Sequence, residues 1–148
     1  MIFRTAARHD LPAILALLAD EERVVDPASL VIDEAHEHAF AAIESDSRNE
    51  MMVLAEPDGT VLGCLQATYI PGLGQGGGER VLLEAVRIRA DRRGDGLGRA
   101  LVRRAIERAR ERGCALVQLT SNERRTRAHR FYASLGFARS HDGFKLTL

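Results

Sequence analysis

Val86-Arg87-Ile88-Arg89-Ala90-Asp91-Arg92-Arg93-Gly94-Asp95-Gly96-Leu97-Gly98-Arg99-Ala100-Leu101 is the stretch on which the fold turns. A strand over 81–88 runs into alternating glycines, and these open a helix over 96–112. Leu97, Leu101, Ala105 and Ala109 line one face of that helix, while Arg103, Arg104, Glu107, Arg108 and Glu111 cover the other. Arg108, Arg110 and Arg112 suit the negative end of the helix, and Gly113 supplies its left-handed cap. The first amides of a helix have no internal partner and point outward. With the helix dipole they form a site for negative charge. Glycines let a phosphate approach without a Cβ in the way. Arg92, Arg93 and Arg99 add charge-assisted contacts. A glycine-rich turn without any ligand is the plain alternative.

The two commonest nucleotide signatures fit this stretch poorly. No G-x-x-x-x-G-K-[ST] run occurs anywhere in the chain. A dinucleotide fingerprint has G-x-G-x-x-G early in a βαβ unit, with an acid about 20 positions on. Here the glycines lie in the second half, and the next strand, over 115–121, contains no acid.

Working outward, strand-like and helix-like segments alternate, which predicts a layered α/β or α+β fold. A strand over 2–6 leads to Asp10, read as the cap of a helix carrying Leu11, Ile14, Leu15 and Leu18, with Pro12 in its first turn. A loop over 23–30 precedes a helix over 33–45 with Ala35, Ala39, Ala42 and Ile43 inward. Strands over 51–56 and 61–69 flank Pro57-Asp58-Gly59-Thr60, a hairpin signal. Five glycines in residues 71–78 predict a mobile loop, either a lid over a site or a long connection. A helix over 126–135 carries Ala128, Phe131, Tyr132 and Leu135 on one stripe and ends at Gly136. Strands over 137–140 and 144–148 are expected to close the chain.

The 148 residues predict a single domain over 1–148, large enough to bury a core without staples. Twenty-one basic residues balance twenty-one acidic ones, which argues against a nucleic-acid binder whose main affinity is phosphate neutralisation. Cys64 and Cys114 lie in apolar runs and read as buried, reduced thiols, with a catalytic thiol as the lesser alternative. No basic start leads into a long apolar run, and no stretch reaches the roughly 18 apolar residues of a membrane span. No membrane partner and a cytoplasmic location are expected. His36 and His38, two apart on a helical segment, do not share a face, and no metal site is expected.

Arg93, Gly96 and Gly98 fill the pattern [QR]-x-x-G-x-[GA]. Downstream, Asn122 follows a strand, and Ala128-His129-Arg130-Phe131-Tyr132-Ala133-Ser134-Leu135-Gly136-Phe137 fills A-x-x-F-Y-x-x-x-G-F. Together these motifs resemble the GCN5-related N-acetyltransferase (GNAT) superfamily. The likeness spans essentially the whole chain, with its specific motifs confined to residues 84–137. It implies a mixed, mostly antiparallel sheet of six to seven strands flanked by about four helices and splayed between the fourth and fifth strands. Acyl-CoA would lie in the splay, its pantetheine along the fourth strand at Val86 and Ile88. Its pyrophosphate would meet the amides of Gly94, Gly96, Leu97, Gly98 and Arg99, beside Arg93.

The resemblance also assigns chemistry. Tyr132 is the candidate general acid that protonates the departing CoA thiolate. Its alternative role is a packing aromatic. Glu84, the one acid in an apolar strand, is the candidate base, since desolvation there would raise its pKa toward a working range. An ion pair with Arg80 or Arg87 is its alternative, and a water chain could replace a single base. Asn122 orders the cofactor arm or simply caps a turn. His129 and the arginines at 124, 125, 127 and 130 read as a solvated face.

The expected activity is transfer of an acetyl group from acetyl-CoA to a primary amine of a small molecule, by direct attack in a ternary complex. A protein or peptide acetyltransferase acting on lysine or an N-terminus, and a non-catalytic acyl-CoA-binding regulatory module, are the alternatives. A short likeness to aminoalkylphosphonate acetyltransferases lies in the last third. The resemblance also admits a homodimer. No residue pattern identifies the acceptor amine.

Overall fold

The computed structural model describes residues 1–20 and 22–148. Two compact units make up the chain, Met1–Gln118 and Leu119–Leu148. The first is built on one sheet of β1 (Ile2–Thr5), β2 (Asn49–Ala55), β3 (Val61–Ile70), β4 (Arg80–Ile88) and β5 (Leu116–Leu119). The strands lie in chain order, with the first three pairings antiparallel and β4–β5 parallel. Helices α1 (Leu11–Ala19), α2 (Glu34–Ser45) and α3 (Leu97–Arg112) cover it.

Helical cover on two faces explains why β2 and β3 are apolar at nearly every position, since both faces of a central strand are then buried. Ile14, Leu17 and Phe40 pack with Met51, Val53 and Cys64 in one layer. Leu101, Val102, Ala105 and Ala109 of α3 are buried, and this helix packs on β3 and β4. Leu97, Leu101, Ala105 and Ala109 therefore form the inward stripe that helical spacing predicts.

Asp10 does not cap α1 as expected. Its carboxylate turns back, accepting two hydrogen bonds from Arg4 at 2.6 and 2.9 Å and one from Ala7 N at 2.8 Å. Asp33 does cap α2, accepting from His36 N at 2.9 Å. The predicted inner stripe of α2 is corrected: Ala35, Ala39 and Ala42 are exposed, while Phe40 is buried and Ile43 partly so. A ring removes far more apolar surface from water than three methyl groups, so Phe40 sets which face turns inward. The Asp-Gly turn forms as read, with Gly59 at φ 94° and Thr60 N donating to Asp58 Oδ1 at 2.9 Å.

The 71–78 connection ends tightly. A Cβ on Gly78 would lie 2.7 Å from Ala115 Cβ, so only glycine lets it pass the approach to β5. Just beyond, Ala115 N donates to Glu79 O at 2.7 Å, joining β4 and β5 where they begin.

The second unit carries α4 (Thr126–Ser134), ended by Gly136 at φ 96°. The expected strands over 137–140 and 144–148 are absent, so the sheet has five strands rather than six or seven. Among the described residues no backbone hydrogen bond involves 138–148. Period-two spacing of Phe144, Leu146 and Leu148 makes this stretch suited to a strand, but a strand forms only against a partner's ladder.

Candidate functional site

The pairing of β4 with β3 is regular from Ile70↔Arg80 to Gln66↔Glu84, then shifts and resumes at Cys64↔Arg87. Two β4 residues, Ala85 and Val86, thus oppose Leu65 alone. This is a β-bulge, and Ala85 sits in it at φ 53°. A side chain in that left-handed region costs of order 1–2 kcal/mol. Strain of this kind persists where surrounding structure enforces it, and clusters at functional sites.

Past the bulge, Arg89 N donates to Leu62 O at 2.8 Å, tying the strand end down. A short 3-10 turn, Ala90–Arg92, leads to Gly94 at φ 88° and Gly96 at φ 80°, and Gly96 caps α3. Both conformations favour glycine. Among the described residues a Cβ on either would meet no atom within 4 Å beyond its chain neighbours. Among the described residues, the N–H groups of Gly94, Asp95, Gly96, Leu97 and Gly98 have no hydrogen-bond acceptor. The ladder of α3 begins with Ala100 N on Gly96 O at 3.1 Å.

The arginines of the turn already hold protein partners. Arg92 pairs with Glu56 at 2.7 Å and Asp95 at 3.2 Å. Arg93 Nε donates to Ile88 O at 3.1 Å, and its Nη2 lies 3.4 Å from Asp20, a buried carboxylate that also accepts from Ala90 N at 3.0 Å. Arg93 thereby joins the end of β4 to the turn. Asp20 had no visible signal in the sequence, because its partners are 70 residues away. The far end of α3 is held by Arg108–Glu50 at 2.7 Å, by Arg112–Glu79 at 2.6 Å and by Arg112 stacked 3.9 Å over the Tyr69 ring. Burial and the nearby Glu50 push the Tyr69 phenol above its ordinary range, against the pull of the two arginines.

Glu84 stands on β4 one residue before the strained Ala85. The desolvated setting expected for it is not found: its side chain is exposed, while Leu83 before it is buried. Among the described residues it has no ion pair or hydrogen bond, so the alternative pairing with Arg80 or Arg87 is not found either. Opposite it is Gln66, whose Nε2 donates to Asn49 Oδ1 at 3.2 Å, and Thr68 Oγ1 donates to the same oxygen at 2.9 Å. This polar ledge was not foreseen. Its signal was present in the alternation of Gln66 and Thr68 within an otherwise apolar strand.

In the C-terminal unit, Asn122 closes a turn: its side chain accepts from Arg124 N at 2.9 Å and its carbonyl from Arg125 N at 2.9 Å. His129 Nε2 also donates to that carbonyl at 2.9 Å, so this ring braces the turn rather than lying free in solvent. Tyr132 is half-buried, edge-on to Phe131 at 5.1 Å and to Phe137 at 5.7 Å.

Cys64 is fully buried, and desolvation pushes its thiol to about 12, which removes it as a nucleophile. Burial and then Glu79 raise the Cys114 thiol as well. Among the described residues no cluster of three or more His, Cys, Asp or Glu is placed to hold a metal ion, and no helix is long and apolar enough to cross a membrane.

Comparison with known proteins agrees with this geometry. No curated protein matches the chain. The crystal structure of a transcriptional regulator from Bacillus halodurans C-125 is similar at 38% identity and TM-score 0.90, over 99% of each chain. A Trypanosoma brucei acetyltransferase is similar at 25% identity and TM-score 0.80, again over 99% of each chain. Glucosamine-6-phosphate N-acetyltransferase from Arabidopsis thaliana shares the fold at 19% identity and TM-score 0.78, over 99% of this chain and 97% of its own. The family model of the GNAT acetyltransferases matches residues 11–137, which takes in the bulged strand, the glycine turn and the Phe-Tyr helix; the chain belongs to the GNAT family of acetyltransferases.

Proposed function

We propose that the chain, as a single domain over 1–148, moves an acetyl group from acetyl-CoA to a primary amine of a small molecule by direct attack in a ternary complex. The observation that carries this is the run of N–H groups from Gly94 to Gly98 at the start of α3, which have no acceptor among the described residues. Oriented amides and a helix N-terminus favour a diphosphate. Val86 and Ile88 hold the pantetheine arm along β4, and the turn from Arg93 to Arg99 holds the pyrophosphate. Asn122 orders the cofactor arm. The amine nitrogen attacks the thioester carbon, the C–S bond breaks, and the CoA sulfur leaves as a thiolate.

Two proton transfers accompany that step. Glu84 takes the proton that the amine loses, directly or through water, and its exposure makes it available to a soluble amine. Tyr132 gives a proton to the thiolate. The reaction needs no metal, and the family's activity suits the cytoplasm.

The test is release of CoA thiol from acetyl-CoA across a panel of small amines, with thermal melts read alongside. CoA at about 100 times its dissociation constant should stabilise the fold by roughly 2.7 kcal/mol. No melting shift with CoA would overturn the proposal. A shift without thiol release on any amine or peptide would instead favour an acyl-CoA-binding regulatory module; the Bacillus halodurans relative is named a transcriptional regulator.

A further inference from the structure

One face of the sheet carries a polar row that the core does not use. On that face Met51 and Cys64 belong to the buried layer under α1 and α2. Beside them stand Asn49, Gln66 and Thr68, all half-buried, and the exposed Glu84. Thr68 pairs with Asn49 and Gln66 with Glu84, so the four side chains share one side of the sheet.

The hydrogen bonds inside this row fix its polarity. The Asp46 carboxylate can only accept, and it takes Arg48 N at 2.8 Å and Asn49 Nδ2 at 2.9 Å. Asn49 Oδ1 is therefore the atom turned to β3, where it accepts from Gln66 Nε2 at 3.2 Å and from Thr68 Oγ1 at 2.9 Å. Thr68 has then spent its one proton and can only accept, and the Gln66 amide is held by its nitrogen, which leaves Oε1 to accept elsewhere. Among the described residues, Gln66 Oε1 and the Glu84 carboxylate have no hydrogen-bond partner. Oxygens that accept and find no donor in the chain suit a ligand that donates.

Charge decides which donor fits. Glu84 is the one carboxylate of the row, and it serves the reacting nitrogen in the proposed function, on which this inference rests. Gln66 and Thr68 are neutral. Arg80 and Arg87 stand on the same side of β4, opposite Ile70 and Cys64, and oppose a second positive charge there. A hydroxyl group donates without adding that charge. We propose that Gln66 and Thr68 select, among small primary amines, those that carry a hydroxyl group. Directly paired side chains stand about 5 Å apart, so the hydroxyl lies about 5 Å from the nitrogen held at Glu84, the span of a three-carbon amino alcohol.

The test compares thiol release from acetyl-CoA with three amines: 3-amino-1-propanol, butylamine, in which a methyl replaces the hydroxyl, and 1,3-diaminopropane. kcat/KM for the amino alcohol should exceed each of the others by roughly fivefold to tenfold, as one net hydrogen bond allows. Equal values would overturn the proposal, as would a lead for the diamine. Gln66→Leu with Thr68→Val should bring the amino alcohol down to the butylamine value, while Thr68→Ser, which keeps the hydroxyl, should retain the preference. A preference kept by the folded double variant would overturn the proposal; should that variant not fold, the wild-type comparison decides alone. Absence of thiol release from every amine would remove the acetyl-transfer reading, and selection would still be read from binding. With CoA present, 3-amino-1-propanol should move the Gln66 side-chain amide signals in NMR spectra and bind roughly fivefold tighter than butylamine. Equal binding of the two would overturn the selection itself.

Discussion

Removing the Tyr132 hydroxyl tests one proton transfer in isolation. With Phe at 132 the edge-on contacts to Phe131 and Phe137 stay. We expect kcat to fall by about 10²-fold or more with the amine KM little changed, as for loss of a general acid. An unchanged kcat would return Tyr132 to a packing role. Asp10 tests electrostatics instead. Burial works to raise its carboxyl, yet the hydrogen bonds from Arg4 and Ala7 N outweigh that and hold it below its ordinary value. A depressed carboxylate adds stability that is present above its unfolded value of about 3.9 and is lost as pH falls through the lower folded value. Asp10→Asn should therefore cost about 1–3 kcal/mol at pH 7. Its stability should also fall less steeply than wild type below about pH 4. Urea melts at pH 7 and pH 3 check both. At this scale the sequence showed types but not partners. Tyr132 and Glu84 stood out by their neighbours in the chain, whereas the Asp10–Arg4 lock and the Asp20 brace depend on contacts that only folding creates.

The turn into α3 is where a single element carries both stability and binding. Gly96 has φ 80°, so Gly96→Ala puts a side chain in the left-handed region, at about 1–2 kcal/mol. The melting temperature should drop, and the stabilisation by CoA should shrink more than that strain explains, because the cap sets the direction of the free amides. Equal shifts with CoA in wild type and variant would separate the turn from the ligand. α3 was legible almost to the residue, since a strong 3.6-residue period, a glycine start and a glycine stop all agree. α2 was legible in extent but not in orientation, because its alanines suit either face and one Phe decides. The last two strands were misjudged because alternation reports suitability for a sheet, while the partner lies outside the segment.

For the whole molecule, Cys64 is a built-in reporter. It lies in the layer shared by α1, α2 and the sheet, fully enclosed. A thiol reagent should modify Cys114 slowly in the native protein and reach Cys64 only through global opening, so the second rate tracks the unfolding equilibrium. Equal rates for the two thiols in native buffer would contradict the described core. The family and layer order were readable because local patterns and motifs pointed the same way. The bulge at Ala85 carries a final consequence. It makes β4 count one residue more than β3, so Glu84 and Arg87, three apart, share a side of the sheet. Deleting Ala85 would leave Val86 opposite Leu65 and Arg87 opposite Cys64, with no side changed, whereas one residue inserted after Val86 would turn Arg87 and Ile88 to the wrong side. We expect the insertion to keep the circular-dichroism spectrum and lose the response to CoA, and the deletion to keep both.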